Sequence, residues 1–117
     1  MGRRPSPVLV LDFDGVIHGY TGWKGADQFD EPNPGAVEFV TKAVEHFRVV
    51  VVSSRCNHHN GVKMIEQWLT KWGFPDSVTV SAERPPAYVT LDDRAVTFQG
   101  FWPPVETLLN FKPWWQD

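Results

Sequence analysis

Val8-Leu9-Val10-Leu11 and Val49-Val50-Val51-Val52 are apolar at every position. A strand with one wet face alternates apolar and polar residues, whereas a strand covered on both faces does not. Two such apolar runs, the second entirely β-branched, therefore predict central strands of a buried sheet. Between them, Ala36, Val37, Val40, Ala43, Val44 and Phe47 recur at helical spacing. Asn33 as N-cap and Pro34 in the first turn predict where that helix starts. A second helix is predicted over roughly 60–72, with Gly73 in place to end it. Short strands are expected at 78–80 and 87–91, a fifth at 95–98, and a short helix running through Leu109. Strand–helix–strand alternation implies right-handed crossovers and an α/β fold with a mainly parallel central sheet.

A chain of 117 residues suits one domain over 1–117, with a flexible arm at 1–7 and an aromatic tail at 101–117. The net charge of −3 creates no broad field for a polyanion, although a local basic groove is compatible with it. Cys56 is the only cysteine, so no intramolecular disulfide can form. No apolar run is long enough for a membrane span, and no signal-peptide core follows the N-terminus. A cytoplasmic protein without membrane contact is expected.

In parallel sheets, ligands bind at the carboxyl ends of the strands. Three predicted strands end in polar residues here: Asp12/Asp14, Ser53/Ser54/Arg55 and Asp92/Asp93. Asp12 and Asp14 lie two apart and so leave their strand on the same side. Close carboxylates repel, and a divalent cation is the simplest compensation. Asp12, last in its strand, is the candidate nucleophile toward phosphorus. Asp14 is the candidate general acid and base, with a proton affinity expected to be raised by like charge and burial. Mg²⁺ is the expected cofactor, held by Asp12, Asp92 and the main-chain carbonyl of Asp14, with Asp93 holding a metal-bound water. Asp93 pairing with Arg94 is the equal alternative. Ser53, or Ser54 in its place, is expected to bind a phosphoryl oxygen. Arg55 is expected either to contact substrate or to pair with a nearby acid. Arg84 supplies a positive fork for the phosphoryl group.

In these motifs the chain resembles the haloacid dehalogenase superfamily of phosphatases and phosphotransferases. The Asp-x-Asp-Gly after an apolar strand, the strand ending in Ser53 and the acidic pair Asp92-Asp93 occur in that superfamily's order over about residues 8–100. The resemblance implies a three-layer Rossmann-like fold and an aspartyl-phosphate mechanism on phosphomonoesters. Where the superfamily usually places a lysine, this chain has Arg84 before Pro85-Pro86-Ala87; Lys63 is the other candidate. The chain is similar in particular to short members lacking a cap domain, with a flap loop over 15–32. An open site of that kind implies a large or exposed phosphorylated substrate. The alternatives are a nucleic-acid end phosphatase and a binding or regulatory module with weak turnover. The sequence sets no oligomeric state.

Other residues carry weaker signals. Cys56-Asn57-His58-His59 lacks a second ligand cluster at zinc spacing and is expected to be a loop beside the site. Trp68 and Trp72, four apart on the second helix, are expected in the core. Trp102, Trp114 and Trp115 are expected to cover the sheet edge, and Trp23 to line the substrate entrance.

Overall fold

The computed structural model describes residues 6–20, 22–25 and 27–116. Most of the N-terminal arm predicted over 1–7, with Arg3 and Arg4, therefore lies outside the described residues. The two apolar runs form β1 (Val8–Asp12) and β2 (Arg48–Val52), joined by α1 (Ala36–Ala43). The chain continues through α2 (Gly61–Trp72), β3 (Thr79–Ser81), β4 (Val89–Leu91) and α3 (Val105–Leu109). The sheet is four-stranded and all parallel, in the order β3-β2-β1-β4.

Register determines which strand ends meet. Asp12 lies opposite Val52, Leu11 opposite Leu91, and Val52 opposite Ser81. The polar residues that follow each strand therefore emerge at one level. The chain runs from β1 outward to β3, then returns to pair β4 on the other side of β1. Such a reversal of strand order opens a crevice at the carboxyl edge.

β1 and β2 are buried on both faces, as their lack of alternation requires, whereas the edge strand β4 is exposed along its length. Leu9, Leu11, Val49, Val51 and Val80 join Val40 of α1 and Ile65, Trp68 and Leu69 of α2 in one cluster. Val10, Val50 and Val52 form a second, with Val8 packed against it. Burying each such side chain contributes about 1.5–3 kcal/mol, so the sheet is the rigid part on which the strand ends sit. Gly73 adopts φ +84 and ends α2: its N–H reaches the Thr70 carbonyl (3.2 Å), and the Phe74 N–H reaches that of Leu69 (3.0 Å). This pair of bonds satisfies carbonyls left open by the helix end. It also seats Phe74 against Trp68, with ring centroids 5.5 Å apart.

Several boundaries differ from expectation. Helix α1 starts at Ala36, with Gly35 (φ +83) at the N-cap position. Asn33 does not cap it with its side chain, which instead donates to the Val16 carbonyl (2.7 Å) and ties the 15–32 loop to the helix. The third strand starts one residue later than expected and the fourth two residues later. The fifth strand expected at 95–98 does not form. The Asp92 side chain accepts from the Arg94 N–H (2.9 Å), which turns the chain just past β4, and among the described residues no strand pairs beyond β4. Trp68 is buried and Trp72 half-buried, but Trp102 covers nothing: it is 84% exposed, tilted against Phe98. Among the described residues, no helix is long and apolar enough to cross a membrane.

Candidate functional site

Strand ends β1 and β4 bring Asp12, Asp92 and Asp93 together, with one carboxylate oxygen from each within 4.8 Å of the other two. Each is held by its own neighbours. Arg84 Nη2 lies 2.7 Å from Asp92 Oδ2 and 3.8 Å from Asp12 Oδ1. The Trp115 indole N–H donates to Asp93 Oδ2 (2.6 Å). Burial, then the charge of Asp92 and the hydrogen bond and charge of Asp93, push the Asp12 carboxyl up to about 8, and Arg84 only partly offsets them. One half-exposed guanidinium does not balance three carboxylates. The cluster needs a proton or a cation, and an all-oxygen donor set suits a hard divalent ion.

Asp14 lines the same cleft but stands outside this cluster, its carboxylate held by Arg55 and His18. Arg55 Nε lies 2.9 Å from Asp14 Oδ2, and Arg55 Nη2 lies 3.0 Å from Oδ1. His18 Nδ1 lies 2.9 Å from Asp14 Oδ1. His18 Nε2 accepts the Asp30 N–H (2.7 Å), so in the neutral ring the proton sits on Nδ1, facing Asp14. Burial works to raise the Asp14 pKa, yet the contacts with His18 and Arg55 outweigh it and hold the carboxyl below its usual range. This overturns the expectation of a raised proton affinity at Asp14. The two aspartates do differ, in the opposite sense: Asp12 holds its proton and Asp14 does not.

The partner of Arg55 is thereby settled as an acid. Its guanidinium is 2% exposed, also donates to the Gly25 carbonyl (3.1 Å), and stands 4.7 Å from the Phe29 ring centroid and 5.1 Å from that of Trp23. Ser53 is buried, and its hydroxyl accepts the Arg55 N–H (3.1 Å), capping a short 3₁₀ turn over Ser54–Asn57. Ser53 and Ser54 both line an open cleft of about 460 Å³ above the acidic cluster, together with Arg84. Lys63, on α2, does not line it. Burial raises the Cys56 thiol above its usual range, which disfavours the thiolate a nucleophile requires.

Three contributions to this site had little or no signal in the sequence. Tyr20, Asn57 and Arg94 line the cleft with Trp23. Trp23, expected at the entrance, is there, stacked on His58 at 5.9 Å. The tail reaches the site itself: Trp114 donates to the Gly15 carbonyl (2.7 Å), Trp115 holds Asp93, and Tyr20 meets the Trp115 ring edge-on. Gly15 lies at the centre of these contacts with φ +83, and a Cβ there would overlap the Asp93 carboxylate and press on the Trp115 indole. Gly15→Ala is therefore expected to destabilise the fold by about 1–3 kcal/mol and displace Asp93. A urea midpoint equal to that of the wild type would contradict it.

No protein-family model, no curated protein and no solved structure matches this chain.

Proposed function

We propose that the protein is a Mg²⁺-dependent phosphomonoester hydrolase that works through an aspartyl-phosphate on Asp12. The observation that carries this is the placement of Asp12: at the end of a central strand, among Asp92, Asp93 and Arg84, on the floor of an open cleft flanked by Ser53 and Ser54. The order of these strand-end motifs is that of the haloacid dehalogenase superfamily.

Asp12, Asp92 and Asp93 would hold the divalent ion, whose charge lowers the repulsion between Asp12 and a phosphoryl dianion. An Asp12 oxygen bonds to phosphorus as the bond to the leaving oxygen breaks. Arg84 and the Ser53 or Ser54 hydroxyl steady the phosphoryl oxygens. Ionised Asp14 then accepts a proton from the water that attacks the aspartyl-phosphate, which frees phosphate and restores Asp12. Because Asp14 rests ionised, the first half-reaction favours leaving groups that depart without a proton, such as aryl oxides. An arriving phosphoryl dianion raises the proton affinity of Asp14, and this equips it to protonate alkyl leaving groups as well.

The test is hydrolysis of an aryl phosphate with Mg²⁺ and with a chelator, extended to nucleotides, phosphopeptides and end-phosphorylated oligonucleotides. Mg²⁺-dependent release of phosphate is expected. Lack of turnover on every member would overturn the proposal, and Mg²⁺ binding without trapping of fluoroberyllate would favour a binding module instead.

A second expectation concerns protons. With Asp12 raised to about 8, the cluster still holds a proton at neutral pH. Cation binding should then release about one proton at pH 7, with affinity rising about tenfold per pH unit until the carboxyl ionises. The folded carboxyl keeps its proton to higher pH than an unfolded one. The sign is therefore negative: without metal, stability falls as pH rises from about 4 to about 8. Calorimetric titration in buffers of different ionisation heat reads the proton release, and a heat of binding independent of buffer would contradict it.

A further inference from the structure

The segment after Arg94 carries an apolar surface that the cleft does not use. Val96, Phe98, Phe101, Trp102 and Leu108 line a groove, with the Phe98 and Trp102 ring centroids 4.7 Å apart. Beside it, Val105, Leu108 and Leu109 occupy positions i, i+3 and i+4 of α3 and so form one stripe. All seven residues are between 47% and 84% exposed, and no residue of α3 is buried. Together they present roughly 800 Å² of mainly apolar surface, more than the few hundred Å² usual on a monomer and close to one side of a standard protein–protein interface.

Charge narrows the occupant. Residues 95–111 contain no lysine or arginine, and Glu106 is their only charged residue. A nucleic-acid surface would interleave its aromatics with cations, and a helix lying on an anionic membrane would carry Lys or Arg along its polar side. Neither is present here. A second copy of the chain offers an apolar partner for each feature: its α3 stripe for this groove and its groove for this stripe. A two-fold contact uses each shape twice. Pro103-Pro104 limits the backbone freedom between groove and stripe, which reduces the ordering cost of association.

We propose that the protein self-associates as a two-fold dimer through the Val96–Trp102 groove and the apolar stripe of α3. Trp102, the most exposed large side chain of the patch, is its central anchor. The surface lies outside the cleft, so the proposal stands or falls independently of the phosphatase chemistry.

Sedimentation equilibrium of the full chain over a wide concentration range tests it. The wild type should fit a reversible monomer–dimer equilibrium. Trp102→Ser and, separately, Leu109→Lys should each weaken dimerisation by about 30-fold or more, with an unchanged circular dichroism spectrum. Both side chains are exposed in the single chain, so neither change should impair its folding. A wild type that stays monomeric throughout, that forms only larger irregular aggregates, or that binds anionic vesicles as a monomer would overturn the proposal. So would dimerisation unchanged in both variants.

Discussion

Asp12→Asn should lower kcat for an aryl phosphate by at least about 10³-fold while leaving the protein folded. Asparagine keeps the shape of aspartate but offers no carboxylate oxygen to bond phosphorus. In this chain the substitution carries no penalty in stability, because it replaces one of three crowded carboxyls with a neutral group that never ionises. Above neutral pH the metal-free variant should be at least as stable as the wild type, since the group whose ionisation burial opposes is gone. That combination separates a chemical role from a structural one. Rapid quenching should find acid-stable phosphate bound to the wild type and none bound to the variant. Comparable turnover in the two proteins would exclude Asp12 as nucleophile.

The sheet was legible because its signal is local. Unbroken apolar runs predict doubly buried strands, and the two long ones fall where expected. Gly73 likewise ends its helix by a rule that depends only on its own backbone. Parallel topology then brings Asp12, Asp92 and Asp93 together, because the residues that end the strands share one edge. The electrostatics were not legible. Asp14 is ionised by Arg55, 41 residues away, and by His18, whose position depends on a loop closed at Asn33. Asp93 is held by Trp115, 22 residues on, through a tail whose aromatic composition suggested only cover. The absent fifth strand is a related case: an apolar pattern at 95–98 predicts pairing, but the turn at Asp92–Arg94 takes the chain off the sheet edge first.

Removing Arg55 should produce a large loss of stability. The guanidinium is 2% exposed and the Asp14 side chain 17%, so water screens the pair poorly. Arg55→Ala leaves Asp14 ionised in a largely dry site with only His18 beside it. It also empties the space between Phe29 and Trp23. Breaking a buried pair from one side costs about 3–5 kcal/mol, which in a domain of this size lowers Tm by roughly 10–25 °C. Arg55→Lys should recover only part of this, because an ammonium cannot make the two parallel bonds to Oδ1 and Oδ2 or stack its charge between rings. Asp14→Asn introduced into Arg55→Ala removes the stranded charge and should return about 1–3 kcal/mol, so the double-mutant cycle should be strongly non-additive. Thermal and urea unfolding of the four proteins measure this directly. Additive losses, or an Arg55→Ala midpoint within a few degrees of the wild type, would mean that the loop packing holds Asp14 without the guanidinium. Asp14 in Arg55→Ala should also titrate at higher pH than in the wild type, because the strongest cation lowering its pKa is gone while its burial remains.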